Sequence, residues 1–232
     1  MNKFRFFKIA TVAFLGLLLA SCSSTNQAYF NTLKLAFKAN QSQQVTLEMV
    51  RQSQADLLQV QIGEKPTALM ALGFIENNLN KWVSADNAII KIHHGVIVAT
   101  EGFEHDLLYT SNVKENPLTD TAMVNFSWQR QVDIASVGYG LVIEGQWRIQ
   151  QNEAISILEQ SFDTRKITEQ VTFPKTGPYI DTQTQWQNTY WVNSTNGELL
   201  KASVKIMPQA PRIQMTYVSR AARYIAQQEA SQ

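Results

Sequence analysis

Between Leu200 and Ile206 the apolar residues Leu200, Ala202, Val204 and Ile206 alternate with Lys201, Ser203 and Lys205, and this two-residue period returns along much of the chain. A strand turns successive side chains to opposite faces, so such a period commits the chain to sheet with one face buried and the other wet. Val124, Phe126 and Trp128 oppose Asn125, Ser127 and Gln129 in this way, and Tyr139, Leu141, Ile143, Trp147 and Ile149 repeat the pattern. Leu58, Val60 and Ile62 alternate with Gln59 and Gln61. Further strands are expected from Ala68 to Ile75, around Lys81 to Val83, from Ile89 to Ile92, Val96 to Thr100, Ile167 to Phe173 and Thr184 to Val192, with the last apolar run continuing to Met207.

Turn chemistry separates these runs. Asn77-Asn78, His93-His94-Gly95 and Asn196-Gly197 supply residues that tolerate positive φ between two strands. Closely spaced strands joined by turns predict an all-β fold: a single antiparallel β-sandwich or barrel-like domain over residues 41–232. Ser219 to Gln228 is expected to end the chain as a helix or a frayed tail. The strands are short and their charges fall on both faces, which does not suit a transmembrane barrel.

The first residues carry an address. Lys3, Arg5 and Lys8 precede an apolar stretch from Ile9 to Ala20, too short for a permanent span, and Leu19-Ala20-Ser21-Cys22 closes it. This reads as a bacterial lipoprotein signal peptide over residues 1–21, with Cys22 as the lipidated residue and the only cysteine. Burial of acyl methylenes at about 0.8 kcal/mol each makes a multiply acylated terminus a durable anchor. Ser23 to Gln27 lack the aspartate beside the cysteine that favours inner-membrane retention, so the expected location is the periplasmic face of the outer membrane. Five extended residues reach at most about 17 Å, which keeps the body near the lipid. Within the tether of residues 22–40, Tyr29, Phe30, Leu33, Ala36 and Phe37 recur at helical spacing, predicting a short amphipathic helix from about Gln27 to Ala39. Asn40 to Gln44 reads as a polar connector.

Removing the signal takes the formal charge from +1 to −2. With no basic run beyond it, nothing supports nucleic acid as a partner.

Chemistry-bearing residues are scattered. His93, His94 and His105 lie near Glu101, Glu104 and Asp106, yet adjacent strand residues point to opposite faces, so no metal site and no cofactor is expected. Glu101, Asp133, Glu144, Glu153, Glu159 and Asp163 offer carboxylates without a catalytic motif. Gly138-Tyr139-Gly140 lacks the following helix and lysine of a phosphate loop. The expectation is a protein with no enzymatic role. Trp82, Trp128, Trp147, Trp186, Tyr190 and Trp191 are the notable aromatics. Trp128 and Trp147 take the apolar phase and are expected in the core, as are Trp186 and Tyr190, which share a face. Trp191, on the opposite face, is the candidate glycan contact.

The whole pattern resembles the YjbF/GfcB family, the group 4 capsule polysaccharide lipoproteins. The resemblance rests on Val45-Thr46-Leu47, Leu58 to Gly63, Lys81 to Ala88, Gly95 to Gly102 and Asn188 to Val192, followed by Gly197 and Pro208. His94 departs from it, standing where an asparagine-like turn residue is usual. The resemblance implies an accessory, non-catalytic role in capsule or exopolysaccharide assembly or export. Its implied partners are the outer-membrane bilayer through acylated Cys22, and an export component or the polysaccharide itself. The alternative is a carrier that holds an acyl or glycan ligand in a cavity of its β-sheet, for which a large unfilled apolar cavity is the discriminating feature.

Overall fold

The computed structural model describes residues 45–119, 125–173 and 185–231. Cys22, the helix expected from Gln27 to Ala39 and the connector at 40–44 lie outside the described residues. The chain enters through a short helix, α1 (Leu47–Gln52), begun by Thr46, whose hydroxyl accepts from Met49 N at 3.2 Å. Twelve strands follow: β1 (Leu57–Ile62), β2 (Ala68–Glu76), β3 (Leu79–Ser84), β4 (Ile89–His93), β5 (Val96–Glu101), β6 (Leu107–Thr110), β7 (Asn125–Ile134), β8 (Gly138–Ile157), β9 (Gln160–Thr172), β10 (Gln185–Asn193), β11 (Leu199–Val204) and β12 (Ile213–Thr216). Helix α2 (Val218–Ala230) comes last.

All twelve strands form one antiparallel sheet in the order β5-β4-β3-β2-β1-β12-β11-β10-β9-β8-β7-β6. The all-β, barrel-like expectation is met. Strands adjacent in sequence pair with each other, save β5 and β6, and β1 pairs with β12, which sets the first and last strands side by side. The sheet curls until its edge strands β5 and β6 meet. No backbone ladder joins them; side chains do. Thr110 Oγ1 donates to Val98 O at 2.9 Å, and Leu107 N donates to Thr100 Oγ1 at 2.9 Å. Thr110→Val keeps the shape but removes the buried donor to Val98 O, and is expected to cost about 1 to 3 kcal/mol in a denaturant melt. An unchanged midpoint would show that this seam does not hold the sheet closed.

Turns take the conformations their residues allow. Asn77 and Asn78 have φ of 49° and 63°, and His94 and Gly95 of 44° and 90°. Gly95 is required twice over, because a Cβ there would stand 2.6 Å from Leu199 Cδ2.

Two apolar cores result. The larger fills the barrel with residues such as Trp82, Trp128, Trp147, Trp186, Tyr190 and Tyr217. The smaller lies outside it, where Val218, Ala221, Ala222 and Ile225 of α2 cover Leu57, Ala71 and Leu200 on the outer face of the sheet. The β8–β9 hairpin reaches this second core with Ile155, Ile157 and Phe162. It runs further than the apolar run at Ile167 to Phe173 suggested, through a register shift between Ile149 and Asn152. Tyr139, expected in the apolar phase, is 75% exposed: Gly140 beside it turns to φ 62° at the start of β8.

Candidate functional site

The barrel interior holds a charged pair that the alternation did not announce. Trp128, Arg130 and Val132 of β7 point inward, as do Ile167, Glu169 and Val171 of β9 and Trp186, Asn188 and Tyr190 of β10. Arg130 NH1 donates to Glu169 Oε1 at 2.7 Å, with Glu169 fully buried. Asn188 Nδ2 donates to the other carboxylate oxygen at 2.9 Å, and the Tyr190 hydroxyl approaches it at 3.4 Å. Burial first, and the Glu169 charge second, push the Tyr190 phenol well above its ordinary range, so it stays a protonated donor. The Arg130 guanidinium lies 4.1 Å from the centroid of the Trp128 ring. Asn188 Oδ1 accepts from Lys205 N at 2.8 Å and ties the network to the neighbouring strand.

Space for the pair comes from a missing side chain. Gly145 faces it from β8, and a Cβ there would fall 2.3 Å from Glu169 Oε1. Beside the pair is a cavity of about 30 Å³ lined by Arg130, Thr110, Asn188, Tyr190 and Ile143 among others. A water needs roughly 10 to 15 Å³ of such volume, so this space suits water and not an acyl chain. Glu169 has both oxygens engaged and no exposure, and joins β7, β9 and β10.

The other carboxylates are dispersed. Asp106 accepts from Thr100 Oγ1, Gly102 N and Phe103 N and so shapes the turn after β5. Glu101 pairs with Lys91, Asp133 accepts from Gly140 N at 2.6 Å, and Glu144 accepts from Ser127 Oγ and Gln146 Nε2. Glu153 pairs with Lys166 at 2.8 Å, which holds its carboxyl below its ordinary value. Glu159 sits in the β8–β9 turn at φ 64° and Asp163 is exposed on β9. The His93 and His94 rings meet edge to face at 4.7 Å, and burial lowers the His93 pKa. Among the described residues no three His, Cys, Asp or Glu side chains are grouped to hold a metal ion.

Trp128, Trp147 and Trp186 are buried, with Trp147 stacked on Tyr190 at 5.0 Å. Trp191 is half-buried on the outer face of β10. Its opposite neighbours across the strands are Lys166 and Lys201, whose ammonium groups lie 5.7 and 5.3 Å from its ring centroid.

The sequence model described as group 4 capsule polysaccharide lipoprotein GfcB, YjbF matches residues 30–218. The chain belongs to this family. Two Escherichia coli K12 relatives of the capsule lipoprotein family are similar along most of their length. The uncharacterized lipoprotein GfcB is 23% identical over 206 residues, covering 87% of this chain and 94% of its own. The uncharacterized lipoprotein YjbF is 24% identical over 183 residues, covering 77% and 82%. The crystal structure of the hypothetical lipoprotein YmcC from E. coli K12 superposes with a TM-score of 0.69 at 21% identity, covering 81% of this chain and 93% of that one, so the barrel is a shared fold.

For this member of the capsule lipoprotein family, Arg130 and Glu169 carried a usable sequence signal. Each is a charged residue in the apolar phase of its strand, flanked two residues away by Trp128 and Val132 or by Ile167 and Val171. A charge in that phase is either a break in the strand or one half of a buried pair.

Proposed function

We propose that the protein is an outer-membrane lipoprotein, held at the periplasmic face by acylated Cys22, that serves capsule or exopolysaccharide assembly or export without catalysing a reaction. The family match over residues 30–218 carries this reading. It is supported by the dispersal of the carboxylates, of which Glu101, Asp106, Asp133 and Glu153 are each engaged with a different local partner. The cavity beside Arg130, about 30 Å³, has room for water and not for an acyl chain. Membrane attachment brings the domain to the polymer or to an export component in two dimensions, and so raises the effective concentration of their encounter.

The test is the amount of surface and released polysaccharide in a deletion strain complemented with the intact gene or with Cys22→Ser. Restoration by the intact gene alone is expected. The Cys22→Ser protein is expected to move from the membrane fraction to the soluble periplasmic fraction, a near-complete redistribution on sedimentation. Unchanged polysaccharide on deletion would overturn the accessory role, and continued sedimentation of the variant with outer membranes would overturn anchoring by lipid.

A further inference from the structure

The outer face of β7 to β10 has an unusual surface. Strand register sets Ser127 opposite Gln146, Gln146 opposite Gln170, and Gln170 opposite Gln187, so four exposed polar residues form a straight row across four strands. The next row, Gln129, Glu144, Thr172 and Gln185, repeats the arrangement and contains the only charge of the eight. At a strand spacing of about 4.8 Å each row is about 14 Å long. Protein surfaces are ordinarily covered with Lys, Glu, Asp and Arg; two adjoining rows of amides and hydroxyls depart from that.

We propose that this face binds a neutral, hydroxyl-rich stretch of polysaccharide laid across the strands, which deepens the accessory role proposed above and rests on it. A carboxamide presents a donor and an acceptor side by side, as a pair of neighbouring sugar hydroxyls does, and the strand spacing is comparable with the advance of one hexose along an extended chain. Gln146 Nε2 donates to Ser127 Oγ and Glu144 Oε1, which fixes one side of the array. The Gln170 and Gln187 amides make no side-chain hydrogen bond to described residues and stand in solvent, ready for a ligand. Trp191, half-buried against the second core, lies on the same side of β10 as Gln187, four residues on. A protein partner fits less well. Protein interfaces are centred on buried apolar or aromatic anchors, and the middle of this face has none.

The experiment is electrophoresis of the full lipidated chain in detergent through gels containing dextran, mannan, galactan or polygalacturonate. Retardation by at least one neutral polymer is expected, weakened ten-fold or more by Gln146→Glu with Gln170→Glu and Gln187→Glu. All three positions are exposed, and a matching thermal melt confirms the fold. Trp191→Phe keeps a ring and is expected to retain binding. Absence of retardation by all three neutral polymers, retardation unchanged in the triple variant, or stronger retardation by polygalacturonate than by any neutral polymer would each overturn the site. The polysaccharide phenotype of the deletion strain tests the accessory role separately, so failure of one is distinguishable from failure of the other.

Discussion

Glu169→Ala is expected to lower the stability of the protein by about 3 to 5 kcal/mol, the usual cost of leaving a buried charge without its partner. Arg130 would keep its place under the Trp128 ring with no carboxylate to accept from it, and Asn188 and Tyr190 would lose their acceptor. Against a total stability of about 5 to 15 kcal/mol, that is enough to leave much of the protein unfolded at growth temperature. The measurement is a chemical melt of the purified protein, together with its steady-state level in cells. The double replacement Arg130→Met with Glu169→Leu removes both charges and should recover much of the loss, since an apolar pair of similar volume often matches a buried ion pair. If the double variant is as unstable as the single one, the network contributes packing and not charge compensation.

A chain ended after Tyr217 is expected to fare worse. It lacks Val218 and Ile225, whose full burial is worth about 1.5 to 3 kcal/mol each, and it strips the cover from Leu57 and Leu200 on the outside of the sheet. Polar ties are lost with them: Ser219 Oγ accepts from Leu57 N at 2.8 Å, Arg220 NH1 donates to Leu199 O at 2.8 Å, and Arg223 pairs with Asp56 at 2.6 Å. The truncated chain should fail to accumulate as a folded, protease-resistant species. A truncated chain that melts within a few degrees of the full one would show that the barrel core alone suffices.

The alternation makes most of the sheet legible in the sequence, because a sheet with one buried face writes its period there. Leu57 to Ile62, Gln185 to Asn193 and Leu199 to Val204 appear close to where their apolar phases put them, and the Asn77-Asn78 and His94-Gly95 turns occupy the positive-φ states those residues permit. Strands β6 and β12 were missed because each has four residues, too few for a period to emerge. The far half of the β8–β9 hairpin was missed for a different reason: Gln150 to Glu153 are polar on both sides where the ribbon leaves the barrel, and its apolar residues answer to the second core. Trp191 was legible as the outward tryptophan of its strand, but the lysines beside it depend on which strands become neighbours, and periodicity carries no information about that. The interior pair needed the same knowledge of neighbours, although its two out-of-phase charges were visible.

Helices α1 and α2 lie against each other outside the barrel, joined by Arg51 and Glu229 at 2.6 Å, so the chain enters and leaves the described body at one patch. Tension arriving along the backbone ahead of Val45 is therefore delivered to this outer clasp and not to the barrel wall. Release of the six residues of α1 would break the exposed Arg51–Glu229 pair while α2 keeps its cover over Leu57 and Leu200 and the closed sheet keeps its shape. A body tethered in this manner has a built-in strain relief between its point of attachment and its most rigid part.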